Sequence, residues 1–128
     1  MSRVVVDAIH ADMIATHGGL FGARDEDALE AALARPRQRW NYEPAADLPQ
    51  LAAAYAYGIA RNHPYRDGNK RVAFVTAVTF LGLNGLDFVA DEADVVATML
   101  RLAAGEAEEG DLAEWIRRHA RKRHKGSL

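Results

Sequence analysis

The sequence has no cysteine among its 128 residues, and its only two serines are Ser2 and Ser127. Without cysteine, disulfide bonds and thiolate zinc sites are excluded. The sequence also lacks the G-x-S-x-G turn of a serine nucleophile, which argues against a serine hydrolase. It contains no G-x-x-x-x-G-K-S/T phosphate loop, so a nucleotide site of that type is absent.

Long apolar runs are missing as well, and none approaches the roughly 20 residues that span a bilayer. The N-terminal segment lacks the apolar core and cleavage site of a signal peptide, so we expect a cytoplasmic protein without membrane contact. Hydrophobic residues make up 49% and charged residues 27% of the chain, as in ordinary globular proteins. The length predicts a single domain, residues 1–128.

The net charge of −2 conceals an uneven distribution. Residues 117–125 contain six Lys or Arg and no acid, which leaves ten basic against 18 acidic residues elsewhere. This basic run could attract an acidic partner or nucleic acid. Alternatively, it is a solvated last helical turn whose cations complement a helix C-terminus. In either case the basic end, residues 117–128, is free to fray.

Alanine is abundant and strand-like alternation is nearly absent, so the sequence predicts an all-α domain. The predicted helices cover about residues 7–16, 25–34, 51–61, 68–83, 91–104 and 110 onward. Pro36 is predicted to end the second helix, and Asn84-Gly85 the fourth. The third and fourth helices are apolar on most faces and are predicted to form the core hairpin.

Residues 37–49 are predicted to form a long polar and aromatic connection that contains Trp40 and Tyr42. A loop of this length in a compact domain is usually functional or mobile. Two interpretations stay open. The connection contacts a substrate, or Trp40 enters the core and pins the loop in place.

The most informative stretch lies between the two central helices. It reads His63-Pro64-Tyr65-Arg66-Asp67-Gly68-Asn69-Lys70-Arg71. A helix that begins near Gly68 directs its unpaired amides and the positive end of its dipole toward the preceding turn, which favours an anion. Gly68 also permits a left-handed conformation and the close approach of a phosphate.

Neighbouring side chains strengthen the prediction of a phosphate site. Asn69 can donate hydrogen bonds through its amide, while Lys70 and Arg71 supply positive charge. Arg61 and Arg66 flank the turn and could add phosphate contacts. Each residue taken alone also has an ordinary structural explanation, but seven such residues in nine positions favour an anion site.

Two further side chains predict chemistry at this site. Histidine exchanges a proton near neutral pH, so His63 could take the proton of an incoming hydroxyl. Asp67 could hold Mg²⁺ between nucleotide phosphates, because hard cations prefer carboxylate oxygens. The structural alternatives are that His63 caps the preceding helix and that Asp67 is an N-cap.

Residues 63–71 resemble the signature of the Fic/Doc family, specifically its Doc (death-on-curing) toxin branch. Lys70 indicates the branch, because Fic adenylyltransferases carry glycine there and usually an arginine where this chain has Phe74. Other Doc-like features are Gly18-Gly19-Leu20, Tyr42-Glu43 and Asn84-Gly85. Features closer to Fic sequences are Pro64, Tyr65 and Gly68.

The resemblance implies a compact helical bundle with the active loop between two central helices. It also implies a type II toxin, a protein kinase that transfers the γ-phosphate of ATP, with Mg²⁺, to a Ser or Thr hydroxyl of a translation factor. The known Doc target is a threonine of elongation factor Tu, and its phosphorylation stops protein synthesis. The alternatives are protein adenylyl transfer of the Fic type and a non-catalytic module in a toxin–antitoxin–operator complex.

The resemblance also implies a role for each matched residue. The catalytic residues would be His63 as general base, Asp67, which holds Mg²⁺ or positions His63, and Lys70. The residues that bind the nucleotide phosphates would be Arg61, Gly68, Asn69, Lys70 and Arg71. Residues 39–43 would form a flap over the acceptor segment.

The resemblance finally implies how the toxin is inhibited. Self-inhibited Fic proteins carry a serine or threonine four residues before a Glu-Gly or Glu-Asn pair. Here Glu109-Gly110 is such a pair, but Gly105 stands at the hydroxyl position. The resemblance therefore implies a separate Phd-like antitoxin whose flexible tail folds on the toxin. DNA would be contacted only indirectly, through that antitoxin.

Overall fold

The computed structural model describes residues 1–123, which form six helices and one two-stranded sheet. The elements are α1 (Arg3–His17), α2 (Glu26–Tyr42), α3 (Leu48–Asn62), α4 (Asn69–Leu83), β1 (Leu86–Phe88), α5 (Glu92–Ala103), α6 (Glu109–His119) and β2 (Ala120–Lys122). The predicted all-α class is confirmed, although the two short strands were not predicted. None of the described helices has the length and apolar character needed to cross a membrane.

Three helices begin at capping residues in the sequence. Ser2, Asp25 and Asp47 each accept a hydrogen bond from the backbone N–H three residues later. At α3 the capping box is complete, because the Gln50 side chain accepts the Asp47 N–H at 2.9 Å. The third helix therefore begins at Leu48, three residues before the predicted start.

The prediction that Pro36 ends the second helix is wrong, because α2 continues to Tyr42. Pro36 is buried on the same helix face as Leu29 and Ala32. A proline inside a helix forfeits one backbone hydrogen bond and costs roughly 3 kcal/mol. Burial of this face against α3 offsets that cost, and the predicted long connection shrinks to residues 43–47.

The aromatic residues of the predicted connection instead lie in the last turn of α2. Trp40 is 52% exposed and Tyr42 is 88% exposed. The interpretation in which Trp40 enters the core is therefore wrong. Contact between this exposed helix end and a substrate segment stays a prediction.

The predicted core hairpin of α3 and α4 is confirmed, and α3 is the central helix of the domain. Its buried residues face α2, α4 and α6, and most of them are alanines. Gly58 allows α2 to approach closely, since a Cβ atom there would lie 3.1 Å from the Cα of Ala32. Small side chains thus let the helices pack tightly around the hairpin that carries the active loop.

The basic run at the C-terminus is only partly helical. Residues 117–119 end α6, whereas residues 120–122 form β2, which pairs antiparallel with β1 through Leu86 and Lys122. Arg117 contacts Asp47 at 2.8 Å, and the Arg123 guanidinium contacts Asp87 at 3.0 Å. The predicted helical turn thus extends only to residue 119, and residues 124–128 lie outside the described part of the chain.

Candidate active site

Residues 63–68, here called the active loop, connect α3 to α4 between two left-handed residues. His63 ends α3 with φ 47° and ψ 55°, and among residues 1–123 no other non-glycine residue has a positive φ. Gly68, with φ 78°, is the N-cap of α4. A left-handed histidine costs about 1–2 kcal/mol. Such strain persists where the surroundings enforce it, and it is concentrated at functional sites.

Asn69 closes the active loop on itself. Its Oδ1 accepts the backbone N–H of Tyr65 at 2.9 Å, and its Nδ2 donates to the Tyr65 carbonyl oxygen at 2.9 Å. The Asn69 side chain is buried, so both of its polar groups hold the loop. The predicted phosphate contact through this side chain is therefore not what the geometry favours, and the Asn69 backbone N–H is the group available for an anion.

The segment after α1 fastens the other side of the active loop. The Arg24 N–H donates to the Pro64 carbonyl at 2.7 Å, and the Arg66 N–H donates to the Gly22 carbonyl at 3.0 Å. The Arg24 guanidinium also donates to the carbonyls of Asn62 and His63, at 3.0 and 2.9 Å. These bonds hold the left-handed end of α3, and with it the backbone of His63.

Tyr65 and His10 form a buried pair of polar rings beneath the loop. The Tyr65 ring stacks on the His10 ring with centroids 4.0 Å apart, and the Tyr65 hydroxyl donates to Asp7 at 2.8 Å. Burial raises the pKa of Tyr65, and the hydrogen bond to Asp7 raises it further. Burial lowers the pKa of His10, against the opposing effects of the Asp67 carbonyl and the charges of Asp7 and Asp67. Burial beneath the loop thus favours the neutral form of His10.

A groove of about 690 Å³ opens at the N-terminus of α4, between α5 and the end of α1. Its polar end is lined by His17, Gly18, Gly19, Asp67, Gly68, Asn69, Lys70 and Arg71. Its apolar end is lined by Met13, Phe74, Val75, Val95, Val96, Met99 and Leu100, and Glu92 also lines the groove. The structure therefore brings together five of the predicted site residues, those numbered 67–71.

The Asp67 carboxylate faces the end of α1. Its Oδ2 accepts the Leu20 N–H at 2.6 Å. A Cβ atom on Gly19 would lie 3.0 Å from the Cβ of Asp67, so this approach requires glycine. Among the described residues no cluster of three or more ligating side chains exists that could hold a metal alone. One carboxylate beside a phosphate site nevertheless suits Mg²⁺, which is commonly bound by one or two carboxylates together with substrate phosphates.

Two predicted site residues, His63 and Arg61, are not among the residues that line the groove. The His63 side chain is exposed at the start of the active loop and does not line the groove. Arg61 donates to the Tyr57 hydroxyl at 3.2 Å, and its guanidinium lies 5.3 Å from the centroid of the Tyr57 ring. The structure therefore does not bring Arg61 together with Lys70 and Arg71.

Sequence reasoning missed the residues that support the active loop from outside it. His10 and Arg24 contact the loop backbone, and Asp7 contacts Tyr65. These contacts join positions 38 to 58 residues apart. No local sequence pattern predicts these contacts. The one signal in the sequence is that His10 lies on the apolar face of α1.

Comparison with known proteins identifies the family of this chain. The family model described as Fic/DOC family matches residues 1–81, which include the whole active loop. The chain is 35% identical over 111 residues to the protein kinase doc of Escherichia phage P1, which covers 87% of both chains. It is 42% identical over 86 residues to the toxin Doc of Mycolicibacterium smegmatis, which covers 66% of this chain and 65% of that one. The family that the active-loop sequence predicts is thereby confirmed: this chain belongs to the Fic/Doc family and is of the Doc type.

Proposed function

We propose that this protein is a toxin that acts as a protein kinase, and that it transfers the γ-phosphate of ATP to a Ser or Thr hydroxyl of a translation factor. The observation that carries the proposal is the groove in which Asp67, Lys70 and Arg71 meet the N-terminus of α4. The relative from phage P1 is named a protein kinase, which supports phosphoryl transfer over other chemistry. Elongation factor Tu is the first substrate to test.

The phosphates of ATP would lie against the first turn of α4. The first helical hydrogen bond there runs from the Val72 N–H to the Gly68 carbonyl at 2.9 Å. The backbone N–H groups of Asn69, Lys70 and Arg71 precede it and have no helical partner, so they can donate to phosphate oxygens. The exposed Lys70 and Arg71 side chains would add charge-assisted hydrogen bonds.

Asp67 is the residue that would hold Mg²⁺ against these phosphates, because its carboxylate lines the groove directly before Gly68, the N-cap of α4. The cation would neutralise the negative charge that the phosphates carry and develop during transfer. The hydrogen bond from Leu20 fixes Oδ2 and so limits the rotation of the carboxylate. Asp67 would therefore present its oxygens in one orientation.

His63 would act on the acceptor. Its exposed imidazole would take the proton of the hydroxyl as that oxygen forms a bond to the γ-phosphorus, while the bond to the β-phosphate oxygen breaks and ADP leaves. The hydrogen bonds from Arg24 to the carbonyls of His63 and Asn62 fix the backbone from which the ring extends. Because the His63 side chain is exposed, an acceptor protein would reach it from solvent.

A toxin of this kind requires an inhibitor in trans, and we propose a Phd-like antitoxin. Glu109 does not supply internal inhibition, because it forms ion pairs with Arg35 and Arg39. The apolar end of the groove has two exposed side chains one helical turn apart, Val96 and Leu100, which are 53% and 52% exposed. An antitoxin tail that folds into a helix would cover them.

The test is the intact mass of purified elongation factor Tu after incubation with this protein, ATP and Mg²⁺. We expect the added mass of one phosphate. His63→Ala and Lys70→Ala should each abolish the product while their thermal unfolding stays normal. Lys122→Ala, which removes an exposed lysine in β2, is the matched control and should stay active.

The other outcomes are equally informative. An added AMP would assign this chain the adenylyl transfer of Fic enzymes instead. No added mass would reject elongation factor Tu as the substrate. Full activity of a folded His63→Ala would contradict its role as the base.

A further inference from the structure

One buried histidine beneath the active loop has no part in the proposed reaction. His10 lies in α1 and is 1% exposed. Its Nε2 is 3.2 Å from the Asp67 carbonyl oxygen, and its ring stacks on Tyr65 at an interplanar angle of 10°. His10 therefore contacts both halves of the loop, the buried Tyr65 and the groove-lining Asp67.

The bond to the Asp67 carbonyl sets the orientation of the peptide group between Asp67 and Gly68. This peptide bond is trans, as are all others in the described chain. In a trans peptide the C=O and N–H groups point in opposite directions, so the Gly68 N–H is directed away from His10. Within residues 1–123 that N–H donates no hydrogen bond, and Gly68 lines the groove.

We infer that His10 is a positioning residue for phosphoryl transfer. It holds the Asp67 carbonyl so that the Asp67 carboxylate and the amides at the start of α4 keep a fixed arrangement toward the phosphates. The inference rests on the proposed function for its catalytic consequence. The rival explanation is that His10 only fills space, in which case an aromatic hydrocarbon ring would replace it without loss.

Three variants separate the two explanations. His10→Phe keeps the ring that stacks on Tyr65 but loses the nitrogen at Asp67. His10→Gln restores an N–H donor at about the same reach without the ring. Val6→Ala removes packing from another buried position of α1 and is the control for lost stability alone.

The first measurement is amide hydrogen exchange of the nucleotide-free protein at the loop-bonded N–H groups of Leu20, Tyr65 and Arg66. We expect His10→Phe to lose protection there by about tenfold, a shift of 1.4 kcal/mol in local opening. Val6→Ala should lose protection no more at these amides than in the rest of α1. Unchanged protection in His10→Phe would overturn the inference whether or not the protein is a kinase.

The second measurement is phosphoryl transfer by each variant well below its unfolding temperature. We expect His10→Phe to lose about tenfold or more in kcat, because small displacements of positioned groups have large effects on rate. His10→Gln should recover part of that loss, and Val6→Ala should match the parent protein. Full activity in His10→Phe would overturn the positioning role, whereas an inactive parent protein would reject the proposed function and leave the exchange result to decide.

Discussion

Asn69 and Tyr65 are joined by two hydrogen bonds of 2.9 Å, from the Tyr65 N–H to Oδ1 and from Nδ2 to the Tyr65 carbonyl. One buried amide thereby satisfies both backbone groups of a buried residue in the middle of the active loop. Asn69 is also the first residue of α4, so the closure of the loop and the start of the helix depend on one side chain.

Replacing that side chain should open the loop. Asn69→Ala leaves the N–H and C=O of Tyr65 without partners, and each such buried group costs about 1–3 kcal/mol. We expect a loss of about 2–6 kcal/mol in the free energy of unfolding, measured in urea, and about a hundredfold loss of activity, since the site loses its geometry. Asn84→Ala is the matched control, because Asn84 makes a similar bond to the Phe80 carbonyl on the surface. An Asn69→Ala loss no larger than that of the control would contradict this role.

The close approach of Gly19 to Asp67 gives a second prediction. Gly19→Ala should reduce activity strongly, because the new methyl group would lie 3.0 Å from the Cβ and 3.3 Å from the Oδ2 of Asp67. Gly22→Ala is the control, since its φ of 107° is close to the 115° of Gly19 but its surroundings are open. Both variants should lose about 1–3 kcal/mol of stability through backbone strain. Only Gly19→Ala should lose activity in the mass assay, and equal activity of the two would reject the steric argument.

The folding stability should decrease on mild acidification because of His10. Burial lowers the pKa of His10 in the folded state, so the unfolded chain binds this proton more tightly. The stability from neutral His10 is complete above the unfolded pKa of about 6.5 and declines as the pH falls toward the lowered value.

The unfolding temperature, measured at a series of pH values from about 7.5 to about 5, follows this decline. In His10→Phe the decline should be shallower, because that variant has no proton to bind at this position. The acids that face the ring, Asp7 and Asp67, are present in both proteins. Parallel curves for the two proteins would show that His10 does not contribute.

Inhibition by the antitoxin should depend on the exposed apolar end of the groove, where we expect the antitoxin tail to bind. We expect expression of this chain alone to arrest growth in a bacterial host, and co-expression of a Phd-like antitoxin to restore it. Leu100→Asp should abolish the rescue but not the arrest, because a carboxylate would be buried beneath the docked tail. Leu83→Asp is the control, since Leu83 is 70% exposed and does not line the groove. Equal rescue of both variants would place the antitoxin elsewhere.

The sequence predicted the helices best where local signals agree. Asn84-Gly85 and the apolar run before it gave the end of α4, and Asp25 gave the start of α2. It failed at Pro36, where the local preference against a helix is outweighed by burial against α3. It also missed β1 and β2, because strands of three residues have too little alternation to be distinguished.

The sequence by itself determined the family, the all-α class and the residues 67–71 at the groove, because these depend on residue types at fixed local spacing. Only the tertiary structure decided how those residues are held. In that structure the Asn69 side chain binds the loop backbone, and Arg61 contacts Tyr57. His10, Gly19 and Arg24 contact the loop from positions distant in the sequence. The physical reason is that these contacts join residues far apart in the chain, so they form only when α1 and the segment after it pack against the central hairpin.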